Sequence, residues 1–167
     1  MNLIVAVTEN WGIGKDNNLL VSIPEDMKFF RTTTSGKTVI MGRKTLESFP
    51  GGNPLKNRVN IVITTDKNYK KEGVILVPSV PAAVVAAGMA AENPSEDVFV
   101  IGGASIYRQM LKYVDTAYVT KIDACPDADT FFPNLDEDPE WELAEKSEDK
   151  EHEGITYRFC IYKRAEA

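Results

Sequence analysis

Short apolar runs alternate with polar, glycine-bearing connections along this chain. Residues 3–8 (LIVAVT), 38–41 (TVIM), 58–64 (RVNIVIT), 74–77 (VILV), 98–101 (VFVI) and 117–122 (AYVTKI) are nearly continuous in apolar and β-branched side chains. Runs of that length and make-up read as strands covered on both faces. Helices are predicted over 24–34, for a few residues after Gly42, over 79–91 and over 104–111. Pro24 suits a first helical position, where a missing N–H costs nothing. Ser22, three residues before Glu25, has the spacing of a capping box. Strands alternating with helices predict a central, mostly parallel twisted sheet of about eight strands, flanked on both faces by about four helices. Residues 141–146 and 155–163, with alternating Tyr157-Arg158-Phe159, predict an antiparallel hairpin at the sheet edge. Residues 9–22 and 123–139 read as long connections, and long connections in compact domains are often functional. No repeat or linker divides the chain, so the expectation is one α/β domain over residues 1–167.

The net charge of −6 disfavours non-specific binding to nucleic acid or an anionic membrane. No apolar run is long enough to span a bilayer, and residues 1–5 lack the basic start of a signal peptide. A cytoplasmic location is therefore expected. Cys125 and Cys160 fit no metal-binding or redox spacing and read as free thiols, with no metal expected. The single histidine, His152, lies in the charged run 148–153, which reads as a solvated turn. Histidine triads and histidine metal sites are thereby excluded. A catalytic proton must come from a carboxylate, a tyrosine, a lysine or water. No patch announces a protein partner, and a monomer is expected.

The stretch 19–31 (LLVSIPEDMKFFR) holds the first candidate. Asp26 and Phe30 are four apart and share a helix face, with Met27 beside them. The plain reading of Asp26 is a first-turn acid that complements the helix dipole. The alternative is a carboxylate set in an apolar wall, its pKa raised from ~3.9 so that it holds a proton near neutrality. Three strand ends favour phosphate. Gly42-Arg43-Lys44-Thr45 combines a glycine, two cations and a helix start. Ile63-Thr64-Thr65-Asp66-Lys67 offers hydroxyls and a lysine. Gly102-Gly103-Ala104-Ser105-Ile106-Tyr107 places two glycines between a strand and a helix, where a backbone can approach a ligand closely. The last is not the GxGxxG of a Rossmann fold, and each alone also reads as a tight turn. Together they suit a dinucleotide, with Arg43, Thr64, Thr65 and Lys67 favouring NADP over NAD. Arg58 is either a surface cation or a bidentate clamp on a carboxylate. Thr120 is either a good strand former or a hydroxyl for a buried acid such as Asp26.

With these motifs in register, the chain resembles the bacterial-type dihydrofolate reductases. The resemblance is carried by Gly14, by residues 23–30 (IPEDMKFF), 39–45 (VIMGRKT), 100–103 (VIGG), 118–123 (YVTKID) and 129–133 (DTFFP). It implies that NADPH gives a hydride to C6 of dihydrofolate while N5 gains a proton, yielding tetrahydrofolate. It implies Asp26 as the acid and Thr120 as its supporting hydroxyl. Ile4, Val5, Ala6, Met27, Phe30, Leu55, Ile101 and Tyr107 would border the substrate, with Arg58 on its glutamate carboxylate. Ala6, Ile13, Gly14, Gly42 through Thr45, Ile63 through Thr65 and Ile101 through Tyr107 would follow the cofactor. Three residues depart from the family pattern. Val21 stands where a tryptophan is usual, Ala104-Ser105 follow the diglycine, and Lys44 stands where histidine is common. The same motifs also admit a reductase of another pteridine or pyrimidine, or a non-catalytic folate- or dinucleotide-binding module. Arg58 argues against the former, and Asp26 with Thr120 against the latter.

Overall fold

A computed structural model describes residues 1–16 and 18–165. In chain order the strands are β1 (Asn2–Val7), β2 (Gly12–Gly14), β3 (Thr38–Gly42), β4 (Val59–Ile63), β5 (Ile75–Val77), β6 (Val98–Gly102), β7 (Thr116–Ile122), β8 (Thr130–Phe131), β9 (Trp141–Lys146), β10 (Lys150–His152) and β11 (Ile155–Arg164). The α-helices are α1 (Pro24–Thr34), α2 (Arg43–Glu47), α3 (Val80–Ala90), α4 (Pro94–Asp97) and α5 (Ala104–Met110).

Nine strands form the main sheet, in the order β10-β11-β7-β1-β6-β3-β4-β5, with β9 also paired to β11. The pairs from β7 to β5 are parallel, and β11 runs antiparallel to β7, β9 and β10. This is the expected mostly parallel sheet with an antiparallel C-terminal edge. The added strand is β10, which ends at His152, so the solvated turn is Glu153-Gly154 rather than the histidine itself.

Alternation along each strand builds two cores. Leu3, Val5, Val7, Ile40, Ile61 and Val100 pack with Ala83 and Ala87 of α3 and Met110 of α5. Ile4, Val39, Met41, Val62, Phe99 and Ile101 pack on the opposite face with Leu46 of α2 and Phe29 and Phe30 of α1. Both faces are therefore covered, which is why the strand sequences carry so few polar residues. Ser79 caps α3 by accepting a hydrogen bond from the Ala82 N–H at 3.2 Å. Helix α4 was not expected; four residues carry too little periodicity to be read.

Two expectations fail. The segments read as plain connections contribute a separate two-stranded ribbon, β2 with β8. The capping box does not form. Ile23 occupies the N-cap without a side-chain bond, although Pro24 does sit in the first turn. The Ser22 hydroxyl lies 3.7 Å from the Met27 sulfur, and Glu25 turns away to β11.

The sheet opens between the carboxyl ends of β1 and β6. β1 pairs with β7 along its whole length, but with β6 only at Asn2↔Phe99 and Leu3↔Val100. The carboxyl half of β1 thus lacks a ladder on its β6 side. The β3–β6 ladder shifts register between Ile40 and Met41. Ligands of open α/β sheets bind beyond such carboxyl ends.

Candidate active site

Asp26 projects from the first turn of α1 toward β7 and is half-buried. The Thr120 hydroxyl donates a 2.6 Å hydrogen bond to Asp26 Oδ1. Thr120 is only 2% exposed, flanked in register by Ala6 on β1 and Phe159 on β11. Burial pushes the Asp26 carboxyl above its ordinary pKa, and the Thr120 hydrogen bond opposes this more weakly. Tyr107 is buried nearby and donates a 2.7 Å hydrogen bond to the Ile4 carbonyl, at the unpaired half of β1. Burial first, and the charge of Asp26 second, keep that phenol protonated.

The walls follow from strand alternation. Ile4 and Ile101 lie in the core layer that Phe30 and Leu55 pack against, below α1. Ala6 packs beside Ile23, Ile122 and Tyr157. Met27 is 46% exposed, on the open side of α1. Val5 turns its side chain to the other layer, so it meets this face only through its main chain. Phe49 was not singled out in the sequence, yet it packs with Phe30 and Leu55 against the same layer.

Arg58 lies at the far end of this wall. Its Nη2 donates to the Arg31 carbonyl at 3.3 Å, and its Nε is buried without a partner. Burial, and next the neighbouring Arg31 guanidinium, lower its pKa. A half-buried cation with a spare donor is suited to a carboxylate. Asn60 holds this region together. Its amide donates to the Leu55 carbonyl at 2.9 Å and accepts from the Leu55 N–H at 3.0 Å. Asn60 was also missed, although a lone amide inside the apolar run RVNIVIT was a legible signal.

The three glycine- or threonine-bearing strand ends come together. A Cβ on Gly42 would lie 3.1 Å from Ile106 Cγ1, and one on Gly103 would lie 3.6 Å from Thr45 Oγ1. The turns after β3 and β6 therefore touch, and only a glycine at Gly42 lets them do so without displacement. Arg43 joins the third. Its guanidinium pairs with Asp66 at 3.4 Å and Glu47 at 3.5 Å, and sits over the Tyr69 ring at 5.6 Å. Its charge is thus shared with two carboxylates, while Lys44 and Lys67 are exposed. Thr64 Oγ1 accepts from the Asp66 N–H at 3.1 Å, and Thr65 is exposed. Helices α2 and α5 begin without side-chain caps, which leaves the first N–H groups of Lys44, Thr45, Ala104 and Ser105 open to an outside acceptor. Ile106 and Tyr107 face inward as core. On the approach, Ile13 packs against the main core and the Gly14 carbonyl accepts from the Asp129 N–H at 3.0 Å. A family model described as dihydrofolate reductase matches residues 1–164.

The chain belongs to the dihydrofolate reductase family. The dihydrofolate reductase of Haemophilus influenzae is 41% identical over 165 residues, covering 98% of each chain. That of Schistosoma mansoni is 38% identical over 180 residues, covering 97% of this chain and 95% of its own. A solved structure of the Enterococcus faecalis dihydrofolate reductase, complexed with NADP(H) and RAB-propyl, aligns with a TM-score of 0.85 at 32% identity. It covers 99% of this chain and 96% of that one.

Within this family pattern, Val21 packs against Ile23, Ile122 and Tyr157 and offers no donor toward Asp26. Ser105 Oγ accepts from Gln109 Nε2 at 2.8 Å, so its side chain is turned along its own helix.

Proposed function

We propose that the protein reduces dihydrofolate to tetrahydrofolate with NADPH. The observation that carries this reading is the half-buried Asp26 held by Thr120, beside the unpaired half of β1, in a chain of this family. Asp26 binds the pterin amino group and ring nitrogen. Its raised pKa favours delivery of a proton to N5, through water, at neutral pH. Ile4, the Val5 main chain, Ala6, Met27, Phe30, Leu55 and Ile101 enclose the pterin and benzoyl rings and exclude water around the carboxyl. Arg58 clamps the glutamate carboxylate through the Nε and Nη donors it has free.

The fit for a dinucleotide rests on the tight cradle at Gly42 and the adjoining turn at Gly102-Gly103. When bound, NADPH supplies the hydride for C6. Residues Gly42 through Thr45, Ile63 through Thr65 and Gly102 through Ser105 hold its phosphates and riboses. Ala6, Ile13, Gly14, Ile101 and Tyr107, with Ile106 packed behind, border its nicotinamide end. The overall change balances as NADPH, a proton and dihydrofolate giving NADP and tetrahydrofolate. The protein supplies alignment and the poised proton.

The test is NADPH absorbance with dihydrofolate added. Loss of absorbance that depends on both ligands supports the reading. Tight binding of both ligands without turnover would replace it with a binding module.

A further inference from the structure

We propose that Tyr157 and Glu25 form a positioning pair that holds the first turn of α1 so that Asp26 meets Thr120. The proposal rests on the reductase reading for its catalytic meaning, but its geometry stands apart from it. Tyr157 lies on β11, is 1% exposed, and donates its hydroxyl hydrogen to Glu25 Oε2. Lys150, opposite Tyr157 on β10, approaches Glu25 Oε1 at 3.4 Å. Glu25 and Asp26 are consecutive, so one turn is tied to the sheet twice. Glu25 reaches the C-terminal hairpin, and Asp26 reaches β7.

The turn needs this tie. It has no side-chain cap, and its first residue, Pro24, has no N–H to give. Phe29, one turn further on, stacks on Phe159 of β11 at 4.5 Å between ring centroids. The hydroxyl of Tyr157 therefore serves where a capping bond would otherwise fix the helix start. The titratable and charged groups around Asp26 and its neighbour Glu25 are Tyr157 on β11, Tyr107 on α5, Lys150 on β10 and Glu148 just before it. Burial, and next the Glu25 bond, push the Tyr157 phenol up to about 12, so it stays a donor across the working range. The Tyr157 bond also keeps Glu25 ionised.

Loosening the tie lets α1 lift and water reach Asp26. Its raised pKa then falls back toward the ordinary ~3.9 of a solvated aspartate. Tyr157→Phe removes the hydroxyl and leaves the Glu25 charge, so it isolates position from charge. Glu25→Gln keeps an acceptor for Tyr157, whereas Glu25→Ala does not.

The experiment titrates the Asp26 carboxyl by carbon-13 NMR in the unliganded protein and each variant, with thermal melts to confirm folding. A downward shift of the Asp26 midpoint is expected in Tyr157→Phe and Glu25→Ala. Glu25→Gln is expected to shift less than Glu25→Ala, and Tyr157→Phe combined with Glu25→Ala no more than Glu25→Ala alone. An unchanged midpoint in folded Tyr157→Phe would overturn the proposal, as would equal shifts in the two Glu25 variants. If Tyr157→Phe fails to fold, the Glu25 pair decides. The same variants then enter the pH profile of NADPH oxidation. A wild-type protein without turnover would sink the reductase reading and leave the titration result standing.

Discussion

Thr120 and Asp26 are 94 positions apart and are joined by a 2.6 Å hydrogen bond. The hydroxyl is a donor to the ionised carboxylate, so it lowers a pKa that burial raises. Thr120→Val keeps the shape and removes the donor. The expected result is a further rise in the Asp26 pKa, read as an upward move of the alkaline limb in the pH profile of hydride transfer. The variant is also expected to lose about 1.5–3 kcal/mol of stability when Asp26 is ionised, the range for hydrogen bonds to charged groups. Denaturant unfolding above and below the Asp26 midpoint checks this.

Asp26→Asn separates chemistry from stability. The amide still accepts from Thr120 but cannot give a proton, and positioned acids contribute on the order of 10²–10⁴ in rate. Turnover near neutral pH is expected to drop within that range and to recover partly with a substrate already protonated at N5. Stability moves the other way. The folded-state pKa of Asp26 is raised, so the wild-type fold binds this proton more tightly than the unfolded chain. That contribution is full below the unfolded pKa and is lost as pH rises through the folded one. Asp26→Asn lacks this dependence. Its Tm is therefore expected to gain on the wild type as pH rises through that window. Paired melts across the acid and neutral range measure the gap.

The strands that carry the candidate site were more legible in the sequence than its supports. The strands carrying Ala6, Gly42, Ile63, Ile101 and Thr120 announced themselves because burial on both faces leaves continuous apolar runs. Their shared direction then gathers the strand ends without further information. The ribbon of β2 and β8 was hidden because strands of three and two residues show no period. Glu25 was misassigned to a local cap because its true partner, Tyr157, lies 132 positions away. Spacing likewise does not reveal that Asp66 closes on Arg43. Local pattern reports which side chains a helix or strand presents, and only topology reports who waits opposite.

Arg58 is half-buried, carries a donor without a partner and has a second guanidinium beside it. Its position is costly unless an anion arrives. Arg58→Leu is expected to raise KM for dihydrofolate by about ten- to a hundredfold, matching ~1.5–3 kcal/mol for bonds to a charged group. A pterin lacking the glutamate should show little change. Equal effects on both substrates would remove Arg58 from the tail site. The unliganded Arg58→Leu protein is expected to be at least as stable as the wild type.

Gly12 allows β2 to lie against its neighbours. A Cβ there would stand 2.9 Å from both Ala128 Cβ and Thr8 Oγ1. Gly12→Ala must displace the ribbon, and overpacking of this kind costs about 1–3 kcal/mol. The shift carries Ile13 and Gly14 with it, so the expected result is weaker NADPH binding with an unchanged Kd for folate. Fluorescence titration with each ligand separates the two.

Asn60 gives the last test, because it holds the main chain of Leu55 and Arg58, the residues proposed to touch ligand. Its side chain is 3% exposed and makes both bonds to the Leu55 main chain, with a third to the Arg58 carbonyl at 3.2 Å. Asn60→Ala leaves the part-buried Leu55 N–H and the carbonyls of Leu55 and Arg58 without this partner, each costing up to about 1–3 kcal/mol. The segment from Leu55 to Arg58 then loosens at once. KM for dihydrofolate is expected to rise while kcat with saturating substrate stays near the wild-type value, since Asp26 and Thr120 sit on α1 and β7. A fall in kcat equal to the fall in kcat/KM would mean that Asn60 acts on the reacting centre. Asn60→Asp is the sharper variant. It retains an acceptor for the Leu55 N–H but turns a buried carboxylate toward two carbonyls. Its stability loss should therefore be greatest where the new carboxyl is ionised and smaller at acid pH, where it can donate one bond.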